Sequence, residues 1–203
     1  MQTVKDHIKS EILQSAATLF LEKSYLKVPM REIAHKSGVG LSNIYNYFSC
    51  KDDIFVQIVT PAVRTFENML DEHHGRRGTD IMAMCDRDYF KYMVDEYTSF
   101  IHRHRDLLLL LLFRSQGSSL ENYKEEFARK STALVKEYFT LMKHKHPQLE
   151  TDISDFSIRM HTVWMFALFE ELLMRRVKPD EIEKVVTEYM NIEVAEKLEL
   201  MKI

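Results

Sequence analysis

Apolar residues recur at intervals of three and four along most of this chain, and the first such stripe lies near its start. Ile8, Ile12, Ala16 and Leu19 follow one another at spacings of four, four and three. This spacing predicts an amphipathic helix over about residues 4–23. Only 5 glycines and 4 prolines interrupt the 203 residues, and segments rich in Leu, Met, Glu and Lys dominate. The pattern therefore predicts an all-α fold.

A tight glycine turn separates the next two predicted helices. Pro29 suits the first turn of the second helix, because its missing N–H is not needed there. Gly38 ends that helix, since glycine adopts a left-handed backbone at no steric cost. Gly40 then provides the N-cap of a short third helix over residues 41–48. In this third helix Ile44 and Phe48, four residues apart, are expected to face inward.

Six further helices are predicted after the turn. The sequence Ser49-Cys50-Lys51-Asp52 resembles a capping box that opens the first of them. A break follows at residues 73–79, where two glycines occur. The predicted helices cover about residues 51–71, 86–103, 106–114, 121–144, 152–176 and 179–201. With the first three, about nine helices are expected.

Composition supports a globular protein and changes this picture little. The chain is 45% apolar and 29% charged, which suits one or two domains with a sizeable core. The leucine run at residues 107–112 is far shorter than the ~20 residues that cross a membrane, so we expect it in a buried helix. No leader sequence is evident, so we expect the chain in the cytoplasm. Cys50 and Cys85 lack a CxxC partner and indicate neither a disulfide framework nor a zinc motif.

Basic and hydrogen-bonding side chains are concentrated between residues 27 and 51. The whole chain has a net charge of -3, yet this segment contains four basic residues and one acid. A helix-turn-helix places its second helix in the DNA major groove, where outward side chains meet base edges and phosphates. Asn43 and Asn46 can donate and accept there, and the side chains suited to phosphate oxygens are Tyr45, Tyr47 and Lys51. Spacing alone leaves DNA binding and an ordinary helical hairpin both open.

The stretch VPMREIAHKSGVGLSNIYNYFSCKDDIF, residues 28–55, resembles the N-terminal signature of the TetR family of bacterial transcription regulators. That signature runs approximately TT-x-x-x-IA-x-x-x-GVS-x-x-x-LY-x-YF-x-x-K-x-x-L. The residues in register are Ile33, Ala34, Gly38, Val39, Ile44, Tyr45, Tyr47, Phe48, Lys51 and Ile54. The resemblance implies a three-helix DNA-binding domain over residues 1–50. It also implies a helical ligand-binding and dimerisation domain over residues 51–203.

The resemblance further implies which residues contact DNA. The expected set is Arg31, Gly40, Leu41, Ser42, Asn43, Tyr45, Asn46, Tyr47 and Lys51. For Leu41, contact with a thymine methyl group and packing in the core stay open. Two positions depart from the family pattern, because Val28-Pro29 replaces a Thr-Thr pair and Gly40 replaces Ser. Both changes remove a hydroxyl that would cap a helix.

The region after residue 51 is rich in methionine and aromatic residues, which suits an adaptable apolar ligand pocket. Ordinary core packing would produce the same composition. Helical spacing groups the candidate lining residues on two faces: Met93, Tyr97 and Phe100 on one, and His161, Trp164 and Met165 on the other. For His161, the alternative to lining a pocket is a hydrogen-bonded position in the core. No histidine pair here has the i, i+4 spacing of metal ligands on one helix face, so we expect no metal.

Together these features predict a ligand-responsive transcriptional regulator, in this family most often a repressor. By resemblance it binds a palindromic operator as a homodimer through its last two helices, and a small apolar or amphipathic effector releases it. An alternative is a DNA-binding regulator whose C-terminal domain docks a protein partner. Because no GxSxG, P-loop, GxGxxG or HExxH motif occurs, we expect neither enzyme activity nor a cofactor.

Overall fold

The chain folds into helices joined by short connections, and no strand occurs among residues 2–75 and 78–202, which the computed structural model describes. The helices are α1 (Gln2–Lys23), α2 (Met30–Ser37), α3 (Leu41–Ile44), α4 (Lys51–His74), α5 (Arg87–Phe113), α6 (Tyr123–Lys145), α7 (Asp155–Met174) and α8 (Pro179–Met201). A 3₁₀ turn at Ala83–Cys85 precedes α5, and the side chain of Cys85 lies outside the described part. The predicted all-α fold is confirmed.

Helix α5 takes the place of two helices that the sequence predicts. The backbone at His104 has φ -119° and ψ 22°, which is outside the helical region. The helix therefore bends at this residue and continues to Phe113. The predicted break between residues 103 and 106 coincides with the bend, so the described part of the chain contains eight α-helices.

Helix α3 is shorter than the predicted span of residues 41–48. The N–H groups of Asn46 and Tyr47 donate to the carbonyls three residues earlier, at 3.1 and 2.9 Å. This is the bonding pattern of a 3₁₀ turn, so the α-helix ends at Ile44. Ile44 and Phe48 are nevertheless buried, as predicted.

The cap at the start of α4 uses a different acid from the predicted one. The backbone N–H of Ser49 donates to the carboxylate of Asp53 at 2.9 Å, and the Ser49 hydroxyl donates to the same oxygen. These bonds lower the pKa of Asp53. Asp52 instead accepts from the N–H of Ser119 at 2.9 Å. The partner shifts by one residue because the helix begins at Lys51.

The described residues form two compact units. Unit 1 contains residues 2–64 and 106–123, and unit 2 contains residues 65–105 and 124–202. Unit 1 thus continues past residue 50, where the sequence analysis places a domain boundary. The reason is visible in its core, where the ring of Phe55 lies 5.5 Å from that of Phe20 and 5.2 Å from that of Tyr25.

The leucine-rich end of α5 belongs to unit 1. Leu108, Leu110 and Leu111 are buried, as the sequence predicts for this run. Across residues 2–75 and 78–202, none of the helices combines the length and hydropathy that crossing a membrane requires.

The core of unit 2 centres on the ring of Phe66 in α4. Its centroid lies 4.7 to 5.6 Å from the centroids of four other phenylalanine rings, which are Phe100, Phe127, Phe166 and Phe169. All four pairs are tilted or edge-to-face, and aromatic quadrupoles favour edge-to-face contacts. One side chain therefore joins α4, α5, α6 and α7.

Removing this central ring should destabilise unit 2. We expect Phe66→Ala to lower the free energy of unfolding by about 3–5 kcal/mol, because it leaves a cavity among four rings. Urea unfolding followed by the fluorescence of the single tryptophan, Trp164 in unit 2, measures the change. The control is Leu141→Ala on α6, where the side chain is 45% exposed. A loss below about 1 kcal/mol for Phe66→Ala, no larger than the control, would contradict the central role of this ring.

Candidate functional site

The turn between α2 and α3 depends on one left-handed residue. Gly38 has φ 67° and ψ 12°, and its N–H donates to the carbonyl of His35 at 3.4 Å. An added Cβ would meet nothing within 4 Å, so backbone conformation is what requires glycine here. Pro29, predicted inside the first turn of α2, is instead its N-cap, with extended backbone angles. Gly40 caps α3 without a side-chain hydrogen bond, as predicted.

The helix-turn-helix buries one face and exposes the other. Ile33 and Ile44 have no exposed surface. On the opposite side Tyr45 is 51% exposed and Leu41 is 42% exposed, so packing of Leu41 in the core is excluded. The other predicted contact residues on this face are exposed or, for Tyr47, half-buried: Arg31, Gly40, Ser42, Asn43, Asn46 and Tyr47.

Two asparagines on the exposed face hold each other in place. The Asn46 Nδ2 donates to the Asn43 Oδ1 at 3.0 Å. This bond uses one of the two lone pairs of the Asn43 oxygen, so Asn43 retains its NH₂ group as a donor and one lone pair as an acceptor. The pair therefore orders a polar surface beside Leu41 before any ligand arrives.

Lys51 is bound within unit 1 rather than extended into solvent. Its ammonium group donates to the carbonyls of Tyr25 at 2.8 Å and Val28 at 3.0 Å, and it lies 4.1 Å from the centroid of the Tyr25 ring. Burial lowers the pKa of Lys51. Two of its three N–H groups are thus used to join the start of α4 to the connection between α1 and α2. One N–H remains for a phosphate oxygen.

A cavity of about 150 Å³ lies inside unit 2, lined mainly by apolar side chains. Four of the six predicted lining residues surround it: Met93, Tyr97, His161 and Met165. The other two lie elsewhere. Phe100 is buried in the aromatic cluster, with its ring 4.7 Å from Phe66, and Trp164 is 40% exposed on α7.

One polar group in the cavity lining is the buried imidazole of His73, which no sequence pattern indicates. Its Nε2 lies 2.6 Å from Glu96 Oε2, and its Nδ1 is hydrogen-bonded to the hydroxyl of Tyr89. The second oxygen of Glu96 accepts from the Tyr92 hydroxyl at 3.3 Å. Burial, followed by the charge of Glu96, raises the pKa of Tyr89. These groups satisfy one another's hydrogen bonds.

A second polar group in the lining is a hydrogen-bonded pair that links α7 and α8. His161 Nδ1 donates to Glu193 Oε2 at 2.7 Å, which confirms a hydrogen-bonded histidine at this position. Glu193 itself was missed, because an acid on a largely polar helix carries no sequence signal for an inward position. Within residues 2–75 and 78–202, no cluster of three or more His, Cys, Asp and Glu side chains is arranged to hold a metal.

The apolar faces of α7 and α8 divide into a buried and an exposed part. The apolar residues of these helices that are expected at a dimer interface are Val163, Phe166, Leu173, Ile182, Val186, Met190 and Val194. All of them except Val163 and Val194 are buried within the chain. These five side chains therefore pack within the chain. Val163 instead belongs to an exposed stripe of α7, with Phe156 at 72%, Val163 at 38%, Trp164 at 40% and Met174 at 66% exposed. These residues fall within about 100° of one another around the helix.

Comparison with known proteins identifies a family match at the N-terminal region and similar sequences among curated proteins. Residues 12–58 match the sequence model of "Bacterial regulatory proteins, tetR family". An uncharacterized HTH-type transcriptional regulator of Haemophilus influenzae is 25% identical over 130 residues, which are 63% of this chain and 59% of that protein. The matched regions span 33% to 59% of the length of the curated relatives.

Solved structures share the fold over almost the whole chain. NalD, described as the secondary repressor of the MexAB-OprM multidrug efflux pump in Pseudomonas aeruginosa, has a TM-score of 0.64 at 20% identity, covering 93% of this chain and 96% of that one. The transcriptional regulator FadR from Bacillus subtilis, solved in complex with stearoyl-CoA, has a TM-score of 0.59 at 16% identity, covering 89% and 96%. At these identities the likeness concerns the fold.

Loss of the Lys51 ammonium should loosen the connection between α1 and α2. We expect Lys51→Met to raise amide hydrogen exchange across residues 24–30 by about tenfold, because two carbonyls lose a charged donor. Exchange followed by mass spectrometry measures this in the absence of DNA. Lys27→Met, at an exposed lysine of the same connection, is the control and should leave exchange unchanged. Equal exchange in both variants would show that Lys51 does not hold this connection.

Proposed function

We propose that this chain, which belongs through residues 12–58 to the tetR family of bacterial regulatory proteins, is a homodimeric transcriptional repressor in the cytoplasm. It binds a palindromic operator with unit 1 and releases it when a small effector occupies unit 2. The observation that carries the proposal is the helix-turn-helix, whose inner face is buried while an ordered polar surface remains exposed.

The exposed surface of unit 1 supports a division of roles in DNA binding. Arg31, Leu41, Ser42 and Asn43 lie exposed at the start of the two helices, where side chains of a recognition helix reach base edges. Tyr45, Asn46 and Tyr47 follow at the end of α3, where hydroxyl and amide groups suit phosphate oxygens. Gly40 lets the backbone approach closely, since no Cβ intervenes. Lys51 adds one N–H to a phosphate while it holds the fold.

The exposed stripe of α7 supports dimerisation. Two recognition helices must reach major grooves one helical turn, about 34 Å, apart, which one copy of a single helix-turn-helix does not do. Large apolar side chains at Phe156, Trp164 and Met174, with Ile192 of α8 65% exposed, suit a self-complementary interface. We therefore place the interface on this stripe instead of on the buried residues of α7 and α8.

The cavity in unit 2 supports a small-molecule effector over a docked protein. It lies among α4 to α8 and is lined by methionine and aromatic side chains, which adapt to apolar ligands. Residues 65–74 of α4 belong to unit 2 and residues 51–64 to unit 1. We propose that an effector acts on DNA affinity by shifting α4, as the likeness to a repressor and to a regulator crystallised with stearoyl-CoA suggests.

Selection of bound fragments from random DNA tests the first part of the proposal. We expect a palindrome with half-sites about one helical turn apart. Asn43→Ala should flatten the preference at one base pair per half-site, and Tyr45→Phe should weaken binding about two- to tenfold without changing the preferred sequence. Tyr92→Phe in unit 2 is the matched control and should have no effect. Failure to enrich any palindrome would overturn the proposal.

A charge on the exposed stripe of α7 tests the dimer. We expect Trp164→Glu to yield monomers in sedimentation velocity at micromolar concentration, because the carboxylate would be desolvated in an apolar interface. Operator affinity should fall with it. Leu141→Glu, at an equally exposed leucine of α6 outside the stripe, should stay dimeric. A dimeric Trp164→Glu variant would place the interface elsewhere.

A further inference from the structure

The carboxylate of Glu193 has one oxygen in use and one oxygen without a partner. The side chain is only 12% exposed and lines the cavity from α8. Its Oε2 accepts from His161 Nδ1 at 2.7 Å. Its Oε1 is buried and, within the described part of the chain, accepts no hydrogen bond. A buried carboxylate oxygen is strongly unfavourable without a donor, so a ligand that carries one gains affinity here.

Tyr189 is the internal competitor for this oxygen. It lines the cavity one helical turn before Glu193. Burial, followed by the charges of Tyr97 and Glu193, raises the pKa of Tyr189, so its hydroxyl keeps its proton. The hydroxyl lies close enough to the Glu193 carboxylate to interact with it as a donor, which adds to this shift, although its geometry does not complete a hydrogen bond to Oε1. A ligand donor therefore competes at most with a rotation of this one side chain.

The rest of the cavity favours a donor over an acceptor. Elsewhere in the cavity lining, His73 is already bonded to Glu96 and to Tyr89 through its two ring nitrogens. Among the described residues that line the cavity there is no lysine or arginine. An anionic ligand would lose its hydration without gaining a cationic partner. An ammonium group would meet a carboxylate and the faces of aromatic rings.

The volume limits the size of the ligand. Ligand pockets commonly measure roughly 300–1,000 Å³, and an engineered cavity of about 150 Å³ accepts benzene. The cavity of about 150 Å³ in unit 2 therefore suits a molecule with one ring or a short aliphatic chain.

From these observations we propose that unit 2 binds a small apolar amine, whose ammonium group donates to Glu193 Oε1 while its apolar body fills the cavity. This inference rests on the proposed function of unit 2 as an effector-binding unit. It narrows the effector from any apolar molecule to a cationic hydrogen-bond donor of single-ring size.

A series of single-ring probes of similar size tests the proposal on the unmodified protein. Isothermal titration with benzylamine, benzyl alcohol, toluene and benzoate compares a cation, a neutral donor, a molecule without a polar group and an anion. We expect benzylamine to bind at least about tenfold more tightly than toluene, benzyl alcohol to lie between them, and benzoate to bind most weakly. Benzoate or toluene binding as tightly as benzylamine would overturn the proposal. So would the absence of benzylamine binding at concentrations up to about 10 mM.

Matched substitutions assign the effect to one carboxylate. Glu193→Gln should weaken benzylamine about tenfold and leave toluene unchanged. Glu96→Gln makes the same change at a carboxylate whose oxygens are both hydrogen-bonded and should change neither affinity. Tyr189→Phe removes the competing hydroxyl and should leave benzylamine as tight or tighter. Melting temperatures without ligand show that each variant is folded, and benzylamine affinity unaffected in Glu193→Gln would overturn the assignment.

The titrations contain no DNA, so their outcome is separate from that of the repressor proposal. Benzylamine that binds through Glu193 but does not release a selected operator would leave the amine site standing and contradict its role as an effector site. Operator binding without amine binding would support the repressor proposal and contradict the amine site.

Discussion

The helix-turn-helix of unit 1 depends on one partly buried ammonium group. The connection between α1 and α2 is not helical, and the carbonyl of Tyr25 accepts one backbone hydrogen bond there, from the N–H of Val28 at 3.3 Å. Lys51, in the first turn of α4, donates to the carbonyls of Tyr25 and Val28. The same ammonium group lies over the Tyr25 ring, which packs against Phe20 and Phe55. Polar and apolar parts of the core are therefore fixed together, and the position of α2 and α3 follows from them.

Most of unit 1 was predictable because its signals are local. Gly38 adopts a left-handed conformation that a glycine best tolerates, and the buried Ile44 and Phe48 lie four residues apart. The end of α3 and the partner of Ser49 were predicted wrongly. At both places a hydrogen bond between residues three apart competes with one between residues four apart. The residue types do not decide which of the two forms. The bend at His104 falls in the predicted break between residues 103 and 106, although no proline or glycine ends α5 there.

The cavity was only half predictable, because periodicity assigns a residue to a helix face without saying what covers that face. Met93 and Tyr97 line the cavity, whereas Phe100, one turn further along α5, is covered by Phe66. His161 and Trp164 likewise diverge on α7. The polar lining comes from residues far apart in sequence, such as His73 and Glu193, so no local pattern relates them.

Two polar groups at the cavity contain the same residue types but differ in the hydrogen-bonding capacity that they leave for a ligand. Each has a histidine paired with a glutamate, His73 with Glu96 and His161 with Glu193. At the first, tyrosine hydroxyls complete the hydrogen bonds of both partners, so the group is closed to a ligand. At the second, one carboxylate oxygen is left over, although Tyr189 lies nearby. Hydrogen-bond satisfaction, which only the folded structure reveals, thus separates a structural pair from a recognition site.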